Sequence, residues 1–317
     1  MSNASKEMTS GTLRERAGWQ RLMGMVWLGS ALMLGAGCAS LPYKYGKNIE
    51  TPNTYKLPPG EPQIVRGRPY AFLDASDWIW PGSLLTKLVL LNWKMDRHYI
   101  SPETEQALRE YLEANDLQNV KVYLNTYSVA NEWRRLVRNK AVGAGWRYTL
   151  GVLSLVYYTI LPGRFFGGDA YNPYSNSIYI YSDLPAVLLH EGGHAKDFAP
   201  RKWKGSYAFA YAIPFFSLYV EAQATSDALG YLRTNGSLEY QKAGYRQLYP
   251  AFGTYVGGNF GQFLAFPWYY VAYAAGVIPG HVIGQIKALT LDDVRYPAST
   301  EIIHNNMEPN PDEPVKP

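Results

Sequence analysis

The chain is expected to fold as an α+β domain, with a small mixed sheet followed by a mainly helical C-terminal part. Three observations predict this. Val120, Val122 and Leu124 alternate with other residues, as do Ile178 and Ile180, which is the period of a strand. Helix-start signals sit beside these strands: Ser101-Pro102 ahead of Leu108, Tyr111 and Leu112, and Asp183 with Pro185. A further apolar helix is expected from Phe215 to Leu232, and no internal repeat breaks the domain into modules.

The first 37 residues read as a targeting signal. Arg14, Arg16 and Arg21 form a basic region, and Leu22 to Leu34 is an uncharged apolar run too short to span a bilayer comfortably. Gly35, Ala36 and Gly37 then precede Cys38, the single cysteine of the chain. This resembles a bacterial lipoprotein signal, although Gly35 stands where leucine is usual and Leu34 is one place further back. The resemblance implies a lipid on Cys38, a cell-envelope location and, in a Gram-negative cell, the outer membrane. No second cysteine is present, so no intrachain disulfide is possible.

Residues 38–75 carry Pro42, Pro52, Pro58, Pro59, Pro62 and Pro69 with little apolar periodicity, and an extended tether is expected there. The folded domain is expected over 76–303, with a loose tail at 304–317. Ser83 to Met95 is a short helix candidate, and Trp133, Leu136 and Val137 have helical spacing. Tyr148 to Leu161 is rich in β-branched and aromatic residues and reads as a strand. From Gln247 to Ile286 there are 40 residues without Asp, Glu, Lys or Arg. They fit buried helices of a water-soluble domain, or structure lying on or in a membrane, since Phe263 to Ile278 approaches spanning length. The formal net charge of +4 is spread along the chain, which argues against a nucleic-acid partner.

The chemistry is concentrated in Leu188-Leu189-His190-Glu191-Gly192-Gly193-His194. On a helix, positions four apart share a face, so His190 and His194 can reach one metal ion. Glu191 stands beside them, where it can take a proton from metal-activated water. With 5 histidines and 15 glutamates in 317 residues, composition alone yields about 0.004 such patterns, so chance is a poor explanation. Each glycine within a helix costs about 1 kcal/mol, and two together imply that something must approach the backbone closely.

A catalytic zinc takes three protein ligands and keeps one position open. Glu221 is the candidate third ligand, being an acid within the apolar helix Leu218-Tyr219-Val220-Glu221-Ala222. Asp227 is its competitor, or else orients a ligand histidine from behind. Asp197 is expected to bond locally at the helix end. His281 is a candidate oxyanion-stabilising catalytic residue, because it lies in the uncharged stretch; a tyrosine is equally plausible, and there are 27.

These residues resemble a zincin, and within zincins the gluzincin metallopeptidases, whose third ligand is a glutamate on a later helix. The resemblance covers residues 119–232. It implies a zincin-like fold, one zinc ion held by His190, His194 and Glu221, Glu191 as general base, and an edge strand over Ser177 to Ser182 that holds extended peptide. Thr225 stands where thermolysin-like members have an aspartate, and Asp197 and Pro200 exclude the metzincin pattern. The expected function is therefore a lipid-anchored zinc metallopeptidase acting on peptides or proteins of the envelope. The alternatives are a non-catalytic zinc-binding scaffold lipoprotein and a membrane-embedded metalloprotease.

Overall fold

The structure is a computed structural model. It describes residues 39–304 apart from 69, 77–80, 162, 164–167, 266–267 and 300–302, together with 20, 21, 24 and 28. Cys38, nearly all of the expected signal and residues 305–317 lie outside the described residues.

Two short strands come first, β1 (Gly46–Lys47) and β2 (Ile64–Arg66), then helices α1 (Ala71–Ser76), α2 (Pro81–Val89) and α3 (Pro102–Ala114). Strand β3 (Lys121–Leu124) and helices α4 (Val129–Arg138) and α5 (Ala144–Trp146) follow. A π-helical stretch, Arg147–Gly151, continues into α6 (Val152–Ile160). Strands β4 (Ala170–Asn172) and β5 (Ser177–Ile180) lead into α7 (Pro185–Phe198), which carries the histidine pair. The C-terminal part is α8 (Lys204–Ala210), α9 (Phe216–Asn235), α10 (Leu238–Gly261) and α11 (Trp268–Leu289), and β6 (Ile303–His304) returns to pair in parallel with β1. The α+β class and the helical C-terminal part are as expected.

The main sheet has the order β2-β3-β5-β4. β3 runs parallel to both its neighbours, with Val122 opposite Ile178 and Leu124 opposite Ile180. β4 is antiparallel to β5 and forms the edge. The strand directly before the site helix was expected to be the edge strand, but it is internal. All four residues of β5 are buried, as an interior strand covered on both faces requires.

The two faces differ in chemistry. Val122, Leu124, Ile178 and Ile180 pack with residues of α3, α7, α9 and α10. Tyr123, Tyr179 and Tyr181 pack on the other side with Leu136, Leu155 and Tyr158. The tyrosine face is tied down by buried Glu132 of α4, which accepts hydrogen bonds from Ser177 Oγ (2.8 Å) and the Tyr179 hydroxyl.

Ser101 caps α3 as expected, its Oγ accepting from the Thr104 amide at 3.3 Å, and Leu108, Tyr111 and Leu112 are its buried face. Asp183 does not cap α7. Its Oδ1 instead accepts from Ser101 N (2.9 Å) and Ser101 Oγ (2.8 Å), so it ties the start of α3 to the start of α7. Tyr148 to Leu161, expected as a strand, is helical. Its buried residues Gly151, Leu155 and Tyr158 recur at helical spacing, and that periodicity outweighs β propensity. The hydroxyls of Ser154 and Thr159 bond back to Gly151 O (2.9 Å) and Leu155 O (2.6 Å), as they do within helices.

The expected tether is part of the folded body. Tyr43 and Ile49 are fully buried in the core that holds α3, α7 and α9. Ser40 N donates to Ser226 O on α9 at 2.9 Å, Lys196 Nζ of α7 donates to Lys44 O at 2.6 Å, and Leu57 N donates to Asn119 Oδ1 at 3.0 Å. Prolines erase the periodicity that would reveal such a segment, and isolated residues insert instead.

The uncharged stretch forms most of the α10–α11 hairpin. Gly280 and Gly284 of α11 lie so close to α10 that a Cβ would fall 2.6 Å from Tyr249 O and Tyr245 O. No helix among the described residues is long and apolar enough to cross a membrane.

Ile49→Ala tests whether residues 40–66 belong to the core. It should cost about 2–4 kcal/mol in denaturant unfolding with an unchanged slope, whereas a tether residue would cost nothing.

Candidate metal site

Helix α7 is buried almost all round, from Leu188 to Lys196, so each side chain on it meets a neighbouring element. Two glycines make that possible. A Cβ on Gly192 would lie 2.6 Å from the Tyr111 ring of α3, and one on Gly193 would lie 3.0 Å from Ala224 O of α9. The close approach implied by the glycine pair is therefore that of two facing helices. It sets α9 against α7 with Glu221 opposite the histidines.

His190 Nε2 is 3.0 Å from Glu221 Oε2, His194 Nε2 is 3.4 Å from the same oxygen, and the two Nε2 atoms are 3.1 Å apart. All three residues are buried and together could hold a metal ion. The three residues predicted as ligands from sequence are thus brought together.

Each ring is turned by a hydroxyl behind it. His194 Nδ1 is 2.9 Å from the Tyr211 hydroxyl, and His190 Nδ1 is 3.3 Å from Thr225 Oγ1. With Nε2 presenting its lone pair to the centre, each Nδ1–H donates to its hydroxyl oxygen, which fixes tautomer and orientation. Thr225 lies four residues after Glu221 and so shares its helix face. Neither hydroxyl was picked out from the sequence: the position of Thr225 was noted only for lacking an aspartate, and Tyr211 had no distinguishing pattern.

The electrostatics separate the two glutamates. Burial alone would raise the Glu221 pKa, but the His194 and His190 rings outweigh it and draw the carboxyl down to about 2. Burial also acts on Glu191, and there Glu221 and Asp169 reinforce it. His190 and the backbone of Tyr171 on β4 oppose this only in part, and the carboxyl is pushed up to about 8. Glu191 therefore lies between the His190–His194–Glu221 group and the edge strand. Asp169 Oδ1 accepts from Tyr181 N (2.6 Å) and Ser182 N (3.1 Å), which holds the chain entering β4 against the chain leaving β5.

A cavity of about 260 Å³ opens beside His190 and Glu191, with Leu184, Val187, Leu248 and Phe252 among its walls. Tyr255 of α10 also lines it, and its phenol pKa is raised, first by the charge of Glu221 and then by burial and Glu191. No spacing or motif distinguishes Tyr255 from the other tyrosines; the packing of α10 on α7 and α9 brings it to the site.

Two sequence-predicted residues stand elsewhere. His281 does not line this cavity; its Nε2 is 2.8 Å from Val89 O at the end of α2. Asp227 does not support a histidine. It pairs with Lys196 Nζ at 2.6 Å and accepts from Tyr43 (3.2 Å) and Tyr111. Six residues after Glu221, it points about 120° around α9 from the ligand face. Asp197 bonds locally as expected, to Arg201 and to the Tyr207 hydroxyl (2.6 Å).

Gly193→Ala should push α9 away from α7 and spread the three donor atoms. The expected result is a folded protein, by circular dichroism, whose metal affinity falls at least tenfold; unchanged affinity would show that the contact does not set the site.

No protein-family model, curated protein or solved structure matches the chain.

Proposed function

We propose that the protein is a zinc-dependent metallopeptidase, held at the cell envelope by a lipid on Cys38. The observation that carries this reading is the convergence of His190, His194 and Glu221 with Glu191 beside them at a cavity. The donor set is two imidazoles and a carboxylate, a known set for catalytic zinc. Tetrahedral zinc with bonds of about 2.0–2.1 Å has donor–donor edges of about 3.3 Å. The edges here are 3.0, 3.1 and 3.4 Å, so the residues fit that ion with little movement. Bound there, zinc would supply Lewis acidity, polarising a carbonyl and making water a nucleophile near neutral pH.

The remaining chemistry falls to the protein. Glu191 accepts the proton of the attacking water and returns it to the leaving amine as the C–N bond breaks. Its raised pKa suits a group that must both take and give a proton near neutrality. The Tyr255 hydroxyl, on the cavity wall, is the candidate donor to the oxyanion, in place of His281. A second cavity, of about 630 Å³, follows β4 along Ala170, Tyr171 and Asn172 and passes beneath Leu153 and Tyr157. Gly168 lines both cavities, so the second lies next to the space beside His190 and Glu191. An extended peptide fits such a groove, since β4, paired with β5 alone among the described residues, offers backbone hydrogen bonds along its other edge.

Three variants test the assignments. Glu191→Gln should keep one zinc per chain while peptide hydrolysis falls by about 10²–10⁴-fold. Glu221→Ala should lose zinc on dialysis under conditions in which the wild type retains it. Tyr255→Phe should lower kcat about 10²-fold with little change in KM. Full activity of Glu191→Gln would remove Glu191 as the general base, and absence of peptide hydrolysis by the wild type would remove the peptidase reading.

A further inference from the structure

The cavity beside the metal-binding group has a polar end. Along α10 it runs from Tyr255 through Ala251 and Leu248 to Gln247. These ends are eight residues apart, two helical turns or about 12 Å. Helix α7 follows the same course, from Glu191 and His190 past Val187 to Leu184.

The charges are at one end only. Of the described residues that line the cavity, Asp169 and Glu191 are the only acids and none is lysine or arginine, and Asp169 acts directly on Glu191. The uncharged stretch that begins at Gln247 supplies the wall of α10 and Tyr273 of α11. Its lack of charge has a local use here: it lines a pocket that rejects ions.

At the far end Gln247 lines the wall, and its Oε1, closed off from solvent, has no hydrogen-bond partner among the described residues. A buried amide oxygen left without a donor is costly, and a ligand that brings one recovers that cost. An apolar cavity of about 150 Å³ already holds benzene. One of about 260 Å³ has room for a phenol or an indole together with its attachment to a backbone.

We propose that this cavity is a specificity pocket for a tyrosine or tryptophan side chain, whose O–H or N–H donates to Gln247 Oε1 as the amide turns into the pocket. The pocket's role in selecting a cleavage site rests on the peptidase reading above; what it binds does not. A site that hydrogen-bonds a substrate hydroxyl discriminates strongly against the analogue lacking it, because its own polar group is then stranded. Phenylalanine and leucine are therefore poor occupants, and lysine, arginine, aspartate and glutamate are excluded.

The test separates binding from hydrolysis. p-Cresol, 3-methylindole and toluene are titrated by calorimetry into the full zinc-loaded protein. p-Cresol and 3-methylindole should bind at least tenfold more tightly than toluene. Gln247→Leu should erase or invert that preference, and Ala251→Phe, which fills the middle of the pocket, should weaken all three. Equal binding of toluene and p-cresol by the wild type overturns the proposal. So does a preference that survives Gln247→Leu, or p-cresol binding untouched by Ala251→Phe. In peptides differing at one residue, kcat/KM for tyrosine or tryptophan should exceed that for phenylalanine at least tenfold. Absence of hydrolysis with the p-cresol preference intact would remove the peptidase reading and leave the pocket.

Discussion

The contact on which the site depends is the one between two backbones, Gly193 of α7 against Ala224 of α9. Helices separated by ordinary side chains lie 8–10 Å apart, roughly. A glutamate reaching across such a gap would extend fully and hold its position poorly. Here the backbones nearly touch, and Glu221 meets both imidazoles while staying buried. The isolated carboxylate would be expensive in this setting. The two rings make its ionised form the favoured one, so the same burial that threatens the site also strengthens it.

Around this contact the polar groups divide by face. One side of α7 carries the histidines, supported from behind by Tyr211 and Thr225. Another carries Lys196, which joins Asp227, Tyr43 and the backbone of Lys44. The second group binds the N-terminal segment to α7 and α9 and takes no part in ligation. It explains why an acid in the right helix, Asp227, is not a site residue: its partner is Lys196, on the side of α7 away from the histidines.

The sequence exposed what has a period. The histidine pair, Glu221 within its apolar helix, the Ser101 cap and strands β3 and β5 all follow from regular spacing or from a residue type out of place. It concealed what depends on long-range docking. Tyr43 and Ile49 insert singly from a proline-rich segment, and no pattern announces them. Tyr255 reaches the site because α10 packs on α7 and α9, with Gly244 set against Leu232 and Ala186, a fact about three helices rather than about one tyrosine. Tyr148 to Leu161 misleads because its residue types favour strand while its buried positions recur as a helix. His281 attracted notice by its uncharged neighbourhood, yet its ring serves the end of α2.

Under the proposed function, the hydrogen bond from Ser40 to Ser226 governs how far the folded body would stand from its lipid. One residue, Ala39, separates Ser40 from the proposed lipid on Cys38, two steps or about 7 Å of chain. An enzyme on a long leash sweeps a hemisphere of solution; this one would rest with its body against the lipid headgroups. Its orientation would then be fixed by where Ser40 leaves α9, and the cleft would patrol a thin layer at the membrane surface. Substrates would be sorted by height above the bilayer before any pocket read their side chains.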